Sequence, residues 1–322
     1  SIEDYEESIL RSPDFPTVHR NLALAYYNVK KLPQRAYEEM EKAFALDETD
    51  ARVYLELDQL KKRLNVAVKE RWSDMEKHFD LVESRDDLYL EYVTLLNTLG
   101  EPEKALGLIK ARKFHQWEGG EGKVAAQYLT ALYQLAKAAV EKEDYAEAKE
   151  LLLRAVGEYP HNLGEGKLES GQENNLYYLL GLVQEKLGEA KDAFESLTRA
   201  CCGESEPVGM MYYNDQPPEM IYYQGLAYRM LGEEEQAVRR FQKLVDYGRE
   251  HIRDDVKIDY FAVSLPDLLI FEENLNERNR KHCLFMMSLG LKGLGRIDEA
   301  EKCAEELLAM DNAHQEIRVH DL

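Results

Sequence analysis

The sequence has few cysteines and no long apolar run, and each of these shortages excludes a class of protein. Its four cysteines in 322 residues are too few for a disulfide scaffold. No apolar stretch reaches the roughly 18 residues that a membrane-spanning helix needs. The first residues lack the basic start and the apolar stretch of a signal peptide. We therefore expect a cytoplasmic protein in a reducing compartment, with no membrane association.

Positive charge is also scarce. The chain has 41 Lys and Arg against 62 Asp and Glu, which gives a formal net charge of −21. Nucleic acids and anionic membrane surfaces are bound chiefly through Lys and Arg, so both are excluded as partners. The acidic balance favours a basic or neutral partner instead.

Catalytic and metal-binding motifs are missing as well. The eight histidines form neither His-x3-His nor His-Glu-x-x-His, and no two cysteines have Cys-x2-Cys spacing. Neither a Walker phosphate loop nor a Gly-x-Ser-x-Gly motif is present. Carboxylates such as Glu118 and Glu121 could act as acids or bases, but such coincidences are frequent among 62 acidic residues. We predict a protein that is not an enzyme and binds no cofactor or metal.

What the sequence does contain is an internal repeat. Three stretches share a glycine, an alanine five residues later, and bulky or small apolar residues four and seven positions after that. The glycine would end one helix and the alanine would let the next helix pack closely against it. The glycines are Gly188, Gly232 and Gly295, and the alanines are Ala193, Ala237 and Ala300. More divergent copies of the frame contain Ala36, Ala105 and Ala148.

This pattern resembles the tetratricopeptide repeat (TPR), and alternating β-branched runs typical of strands are absent. We predict an all-α fold: a TPR-type right-handed α-solenoid of about seven helical hairpins with edge insertions, forming a single superhelix over residues 1–322. The repeats are expected near residues 17–48, 51–83, 86–112, 124–160, 173–201, 218–247 and 281–311. The insertions are expected at 113–123, 159–172, 203–217 and 248–280.

Two of the insertions contain related sequences. Residues 114–123 and 159–167 each have a histidine followed by Gly-Glu-Gly-Lys, and the two copies lie 44 residues apart. This separation matches the local repeat length, so we predict that the two loops lie side by side on one edge. They would either form simple helix-terminating turns or share a pocket for a polar ligand. The candidate ligand-binding residues are His115, Trp117, Glu118, Glu121, His161 and Asn162, with Tyr222 added because paired tyrosines could line the concave groove.

The last insertion is unusually apolar between residues 259 and 273. A segment of this composition is expected to pack back onto the superhelix or to present an interaction surface. The sequence leaves open whether residues 257–275 fill the concave groove.

Three of the insertion sequences carry a more specific resemblance. Residues 114–123, 159–164 and 259–267 resemble the C-terminal TPR half of an uncharacterised bacterial family. The N-terminal half of those proteins resembles a galactose-mutarotase-like β-sandwich. The resemblance implies a carbohydrate context and an upstream domain that could be a partner of this chain.

Three functions follow as hypotheses. The leading one is a non-catalytic TPR scaffold that mediates protein–protein or interdomain binding, with a protein, a peptide or its own N-terminal domain as partner. The alternative is a carbohydrate-binding or carbohydrate-processing accessory module that completes a site with the missing upstream domain. The third is a structural array that forms oligomers.

Overall fold

Helices are the regular secondary structure of the part of the chain that the structure describes. The computed structural model describes residues 2–117, 119–167, 171–209, 215–257 and 270–320, and this part of the chain contains no β-strand. The helices are α1 Ile2–Arg11, α2 Pro16–Asn28, α3 Pro33–Leu46, α4 Ala51–Arg63, α5 Val68–Lys77, α6 Phe79–Ser84, α7 Asp86–Thr98, α8 Pro102–Ala111, α9 Lys123–Glu141, α10 Tyr145–Val156, α11 Asn174–Lys186, α12 Ala190–Ala200, α13 Pro218–Met230, α14 Glu234–His251, α15 Leu275–Gly293, α16 Ile297–Met310 and α17 Gln315–Val319. The predicted all-α solenoid is confirmed.

Sequential helices pack as hairpins, and the first helices of neighbouring hairpins also contact each other. The pairs α2–α3, α9–α10, α11–α12, α13–α14 and α15–α16 are in extensive contact, and α7 with α9 and α11 with α13 join the hairpins. The connection inside a hairpin is sharp because a glycine with positive φ follows the first helix, as at Gly188 (φ 76°) and Gly232 (φ 82°). These two glycines therefore act as the predicted helix terminators.

Small residues bring the two helices of a hairpin close together. A Cβ added at Gly181 would lie 2.7 Å from the side chain of Leu197, and one added at Gly225 would lie 2.4 Å from the ring of Phe241. The repeated alanines on the facing helices are at most 4 % exposed; they are Ala148, Ala193, Ala237 and Ala300. Overpacking such contacts with larger side chains is costly, which explains why small residues recur at these positions.

The structure has more helices than the fourteen of seven simple hairpins. The second helix of the second hairpin is interrupted at His78, where φ is −116°, and becomes α5 and α6. Helix α15 begins at Leu275, earlier than the predicted repeat boundary at residue 281. Two further helices, α1 and α17, lie outside the predicted hairpins.

The stretch that precedes α15 packs against the first hairpins. Asn28 of α2 donates to the carbonyl of Ile270 at 2.9 Å and accepts from the amide of Glu272 at 2.9 Å. The ring of Phe271 is fully buried and lies 5.0 Å from the ring of Tyr27, with the Arg63 guanidinium 5.3 Å from it. Residues 270–272 therefore pack back onto the solenoid, whereas residues 258–269 of the predicted apolar segment lie outside the described residues.

No helix in the described part of the chain is both long and apolar enough to cross a membrane.

Candidate functional site

The inner face of the solenoid already holds a peptide segment. Residues 311–320, which we call the groove segment, follow α16 and include the short helix α17. Side chains from the first helices α7, α9 and α13 converge on this segment, and we call the face that they share the inner face. Within the segment, side chains alternate between buried and exposed before a final buried histidine; the buried ones are Gln315, Ile317, Val319 and His320.

The start of the groove segment binds the loop between α4 and α5. The side-chain amide of Asn312 donates to the carbonyl of Asn65 at 2.7 Å, and the amide of Asn312 donates to Asn65 Oδ1 at 2.8 Å. Asn312 Oδ1 accepts from the amide of Val68 at 3.2 Å. Residue 312 therefore fixes the segment to a loop that is almost 250 residues away in sequence.

The middle of the segment is held by side-chain amides. Gln315 Nε2 lies 3.1 Å from both the carbonyl of Thr94 and Oγ1 of Thr98 on α7, and Gln127 Nε2 of α9 donates to Gln315 Oε1 at 2.9 Å. Gln127 also accepts a 2.9 Å hydrogen bond from Asn97 through its Oε1. Buried amides that are paired in this way position a chain without ion pairing.

The end of the segment binds α9 and α13. Lys137 Nζ donates to the carbonyl of Val319 at 2.8 Å, and the hydroxyl of Tyr223 lies 3.1 Å from Nδ1 of His320. The hydroxyl of Tyr133 lies 2.6 Å from that of Tyr223. Burial lowers the pKa of His320 to about 3, so its imidazole is neutral near pH 7.

Glu219 is an unusual neighbour of the groove segment. It lies in the first turn of α13, is 8 % exposed, and makes no ion pair with any described residue. Burial raises its pKa to about 8, and the negative charge of Glu316 in the groove segment acts in the same direction. A carboxyl group is thus kept largely protonated on the inner face near pH 7.

The two Gly-Glu-Gly-Lys loops are in direct contact at the edge of the solenoid. The amide of Phe114 donates to the carbonyl of Asn162 at 2.8 Å. Glu165 of the second loop accepts from the amides of Gly122 (2.8 Å) and Ala125 (3.0 Å), so its carboxylate caps the start of α9. At Gly164 φ is +79°, and a Cβ there would lie 2.8 Å from the carbonyl oxygen of Phe114. These close backbone contacts require glycine.

A cavity of about 360 Å³ lies between the two loops. Trp117 is half-buried against Gly120, where an added Cβ would lie 2.2 Å from the indole. His115 is held by Asp86, which accepts from the amide of His115 at 2.8 Å and lies 3.2 Å from its Nδ1. The residues that line the cavity are His115, Gln116, Trp117, Gly120, Glu121, Val124, Leu163 and Glu165.

The structure brings together only part of the predicted site. His115, Trp117 and Glu121 line the cavity, and their role as ligand-binding residues stays a prediction. Glu118 lies outside the described residues. The other three do not line this cavity; they are His161, Asn162 and Tyr222.

Each of these three has a different environment. The side-chain amide of Asn162 is hydrogen-bonded to the backbone, since it donates to the carbonyls of Ile109 (2.7 Å) and Arg112 (2.9 Å). His161 is exposed at the start of a short 3₁₀ turn. Tyr222 is buried on α13, where its ring lies 5.4 Å from Tyr223 and 5.7 Å from Phe241.

Sequence reasoning missed the groove segment and Glu165. Only the polar–apolar alternation from residue 316 to residue 320 could have indicated the segment, and it is too short to distinguish from chance. Within the described ranges, no three His, Cys, Asp or Glu side chains are arranged to hold a metal ion.

Two family models match part of the chain. A family model described as tetratricopeptide repeat matches residues 133–207, and a second with the same description matches residues 219–247. Among solved structures, the chain is similar to the TPR domain of P58(IPK), at 17% identity over 94% of this chain and 75% of that one, with a TM-score of 0.34. It is also similar to yeast Tom70, at 11% identity over 98% of this chain and 56% of that one, with a TM-score of 0.39.

A third similar structure is YrrB, described as a TPR protein with an unusual peptide-binding site, at 18% identity over 78% of this chain and 96% of that one, with a TM-score of 0.27.

The helical hairpins, the positive-φ glycines and the two family-model matches lead to one conclusion. Residues 133–207 and 219–247 match tetratricopeptide repeats, and they lie within an all-helical solenoid.

Proposed function

We propose that residues 1–322 act as one superhelix that serves as a non-catalytic scaffold and binds a peptide segment of a protein partner on its inner face. The observation that carries this proposal is the groove segment itself. Asn65, from the loop between α4 and α5, and Gln127 and Lys137, both from α9, all hydrogen-bond to this one short stretch of chain. A face that binds its own segment through side-chain amides, an ammonium group and a tyrosine hydroxyl has the donors and acceptors needed to bind another peptide.

A peptide selection with matched variants tests this function. Peptides selected from a random library against the full chain are labelled, and their affinities are measured by fluorescence anisotropy. In Gln127→Trp, an indole on the inner face would block the groove, and we expect affinity to fall at least about tenfold. The control is Leu153→Trp on α10, where the leucine is already 48 % exposed and does not contact the groove segment. Equal affinities for the two variants would place binding elsewhere and contradict the proposal.

The edge cavity supports a second candidate function, binding of a small polar ligand such as a carbohydrate. The supporting observation is its lining, in which a half-buried indole lies beside the imidazole of His115 and the carboxylates of Glu121 and Glu165. Aromatic faces pack against the apolar faces of sugars, and the imidazole and carboxylates can hydrogen-bond to hydroxyl groups.

Tryptophan fluorescence tests this second candidate. Trp72 is the other tryptophan of the chain, so Trp72→Phe leaves Trp117 as the single emitter. We expect a saturable change in its emission with at least one member of an oligosaccharide panel, because a bound ligand changes the polarity around the half-buried indole. The same titration on Trp72→Phe with Glu121→Gln should show weaker binding. If no sugar changes the emission, the loops are purely structural.

A further inference from the structure

The groove segment is held in part by contacts that another peptide could reproduce. Helix α17 has only five residues, and a helix of this length is not stable alone in water. Its position depends on hydrogen bonds such as those from Lys137 to the carbonyl of Val319 and from Gln127 to Gln315. Lys137 donates to a backbone carbonyl, a group that every peptide has.

The groove segment and α13 run in matching register. Tyr223 contacts His320, and Glu219 lies one helical turn before Tyr223 on the same face of α13. In the segment, Glu316 lies four residues before His320, and the amide of His320 donates to the carbonyl of Glu316. Because Tyr223 contacts His320, Glu316 of the segment lies near Glu219 of α13.

Ionisation of Glu219 is unfavourable in this setting. Glu219 is 8 % exposed and makes no ion pair with any described residue, and the negative charge of Glu316 also raises its pKa, so the carboxyl stays largely protonated near pH 7. A buried carboxylate is tolerated when it is paired with a cation. The inner face thus contains a place where a cation would allow the carboxylate to form, and the chain's own segment does not supply one.

We propose that the external occupant of the groove is a short helical peptide that follows the pattern of the groove segment but carries Lys or Arg where the segment has Glu316. The groove segment is then the built-in competitor that this basic peptide displaces. The inference rests on the proposed scaffold function and names the chemistry of its partner. The chain's formal net charge of −21 attracts the same class of partner at longer range.

Two labelled peptides and three full-length chains test this inference. One peptide has the sequence of residues 311–322, and the other is the same peptide with Glu316→Lys. Each is titrated by anisotropy against the unaltered chain, a Glu219→Gln chain, and a chain carrying Glu316→Lys in its own segment. Glu316 is exposed, so its replacement in the chain leaves the fold intact, and circular dichroism checks the Glu219→Gln chain.

The inference predicts a reciprocal pattern. The Lys peptide should bind the unaltered chain at least about tenfold more tightly than the native-sequence peptide. This preference should disappear in the Glu219→Gln chain. The Lys peptide should bind the Glu316→Lys chain about tenfold more weakly than the unaltered chain, because the built-in competitor is then improved.

Other outcomes overturn the inference. Equal affinities for the two peptides, or a preference that survives Glu219→Gln, would show that Glu219 does not select the occupant. Tighter binding of the native-sequence peptide would identify a second copy of this chain as the occupant. If library-selected peptides bind in the groove but the Lys peptide does not, the scaffold function stands and this inference fails. If no peptide binds in the groove, both fail.

Discussion

Replacing Arg71 by alanine is expected to lower the free energy of unfolding by about 3–5 kcal/mol, because it leaves a buried carboxylate unpaired. Arg71 of α5 is 1 % exposed. Its guanidinium donates to Asp58 of α4 at 3.0 and 2.6 Å and to Glu91 of α7 at 2.7 Å. Burial opposes the ionisation of Glu91, but the charges of Lys62 and Arg71 outweigh burial and lower its pKa to about 2. One side chain thus ties three helices together.

The matched control is Arg85→Ala. Arg85 makes the same two-point contact with Asp87, at 3.0 and 2.6 Å, but its side chain is 38 % exposed. An exposed pair contributes little, so this variant should lose less than about 1 kcal/mol. Urea unfolding of both variants at pH 7 measures the difference. If the two variants lost similar amounts of unfolding free energy, burial of the Arg71 ion pairs would not add to their contribution to stability.

Glu219→Gln is expected to change how stability depends on pH. The pKa of Glu219 is raised to about 8, against about 4.3 for an ordinary glutamate. Between these values the folded chain holds a proton that the unfolded chain has lost. The stability contributed by this proton is complete below the ordinary pKa and is lost as pH rises through the folded-state value, at up to about 1.4 kcal/mol per pH unit.

The Glu219→Gln chain should therefore become more stable than the unaltered chain as pH rises. We expect similar unfolding free energies at pH 4.5 and a variant about 3–5 kcal/mol more stable at pH 8.5, since the glutamine side chain would carry no charge in either state. Urea titrations at the two pH values measure this. Glu185→Gln is the control, because it makes the same substitution at an exposed position. A Glu219→Gln chain with the same pH dependence as the unaltered chain would contradict the assignment.

The architecture could be predicted because its determinants are local. Gly188 and Ala193 are five residues apart, and together they set a helix end and a close helix crossing within one hairpin. Since such pairs recur in register, one hairpin predicts the next. The contact between the edge loops follows from the same repetition, because a separation equal to the repeat step places equivalent loops side by side.

The features of the candidate site that could not be predicted depend on contacts between distant parts of the chain. The Asn65–Asn312 and Tyr223–His320 contacts join residues that no repeat relates. A short polar stretch such as residues 311–320 has the same composition whether it lies in solvent or in a groove. The role of Asn162 was missed for a related reason, since a side-chain amide that binds backbone carbonyls and one that binds a ligand look the same in sequence.

We expect the inner face to bind peptide, beginning with the chain's own residues 311–320. Amide hydrogen exchange of the full chain, followed by mass spectrometry, measures this binding. The amides of Ile317 and His320 donate to His314 Nδ1 and to the carbonyl of Glu316 in the folded segment, and packing in the groove stabilises this conformation. We expect these amides to exchange at least about a hundredfold more slowly than in the free peptide of residues 311–322. A chain with Ile317→Asp should lose this protection while α9 and α13 keep theirs. Exchange of residues 315–320 at the rate of the free peptide in the unaltered chain would contradict the account.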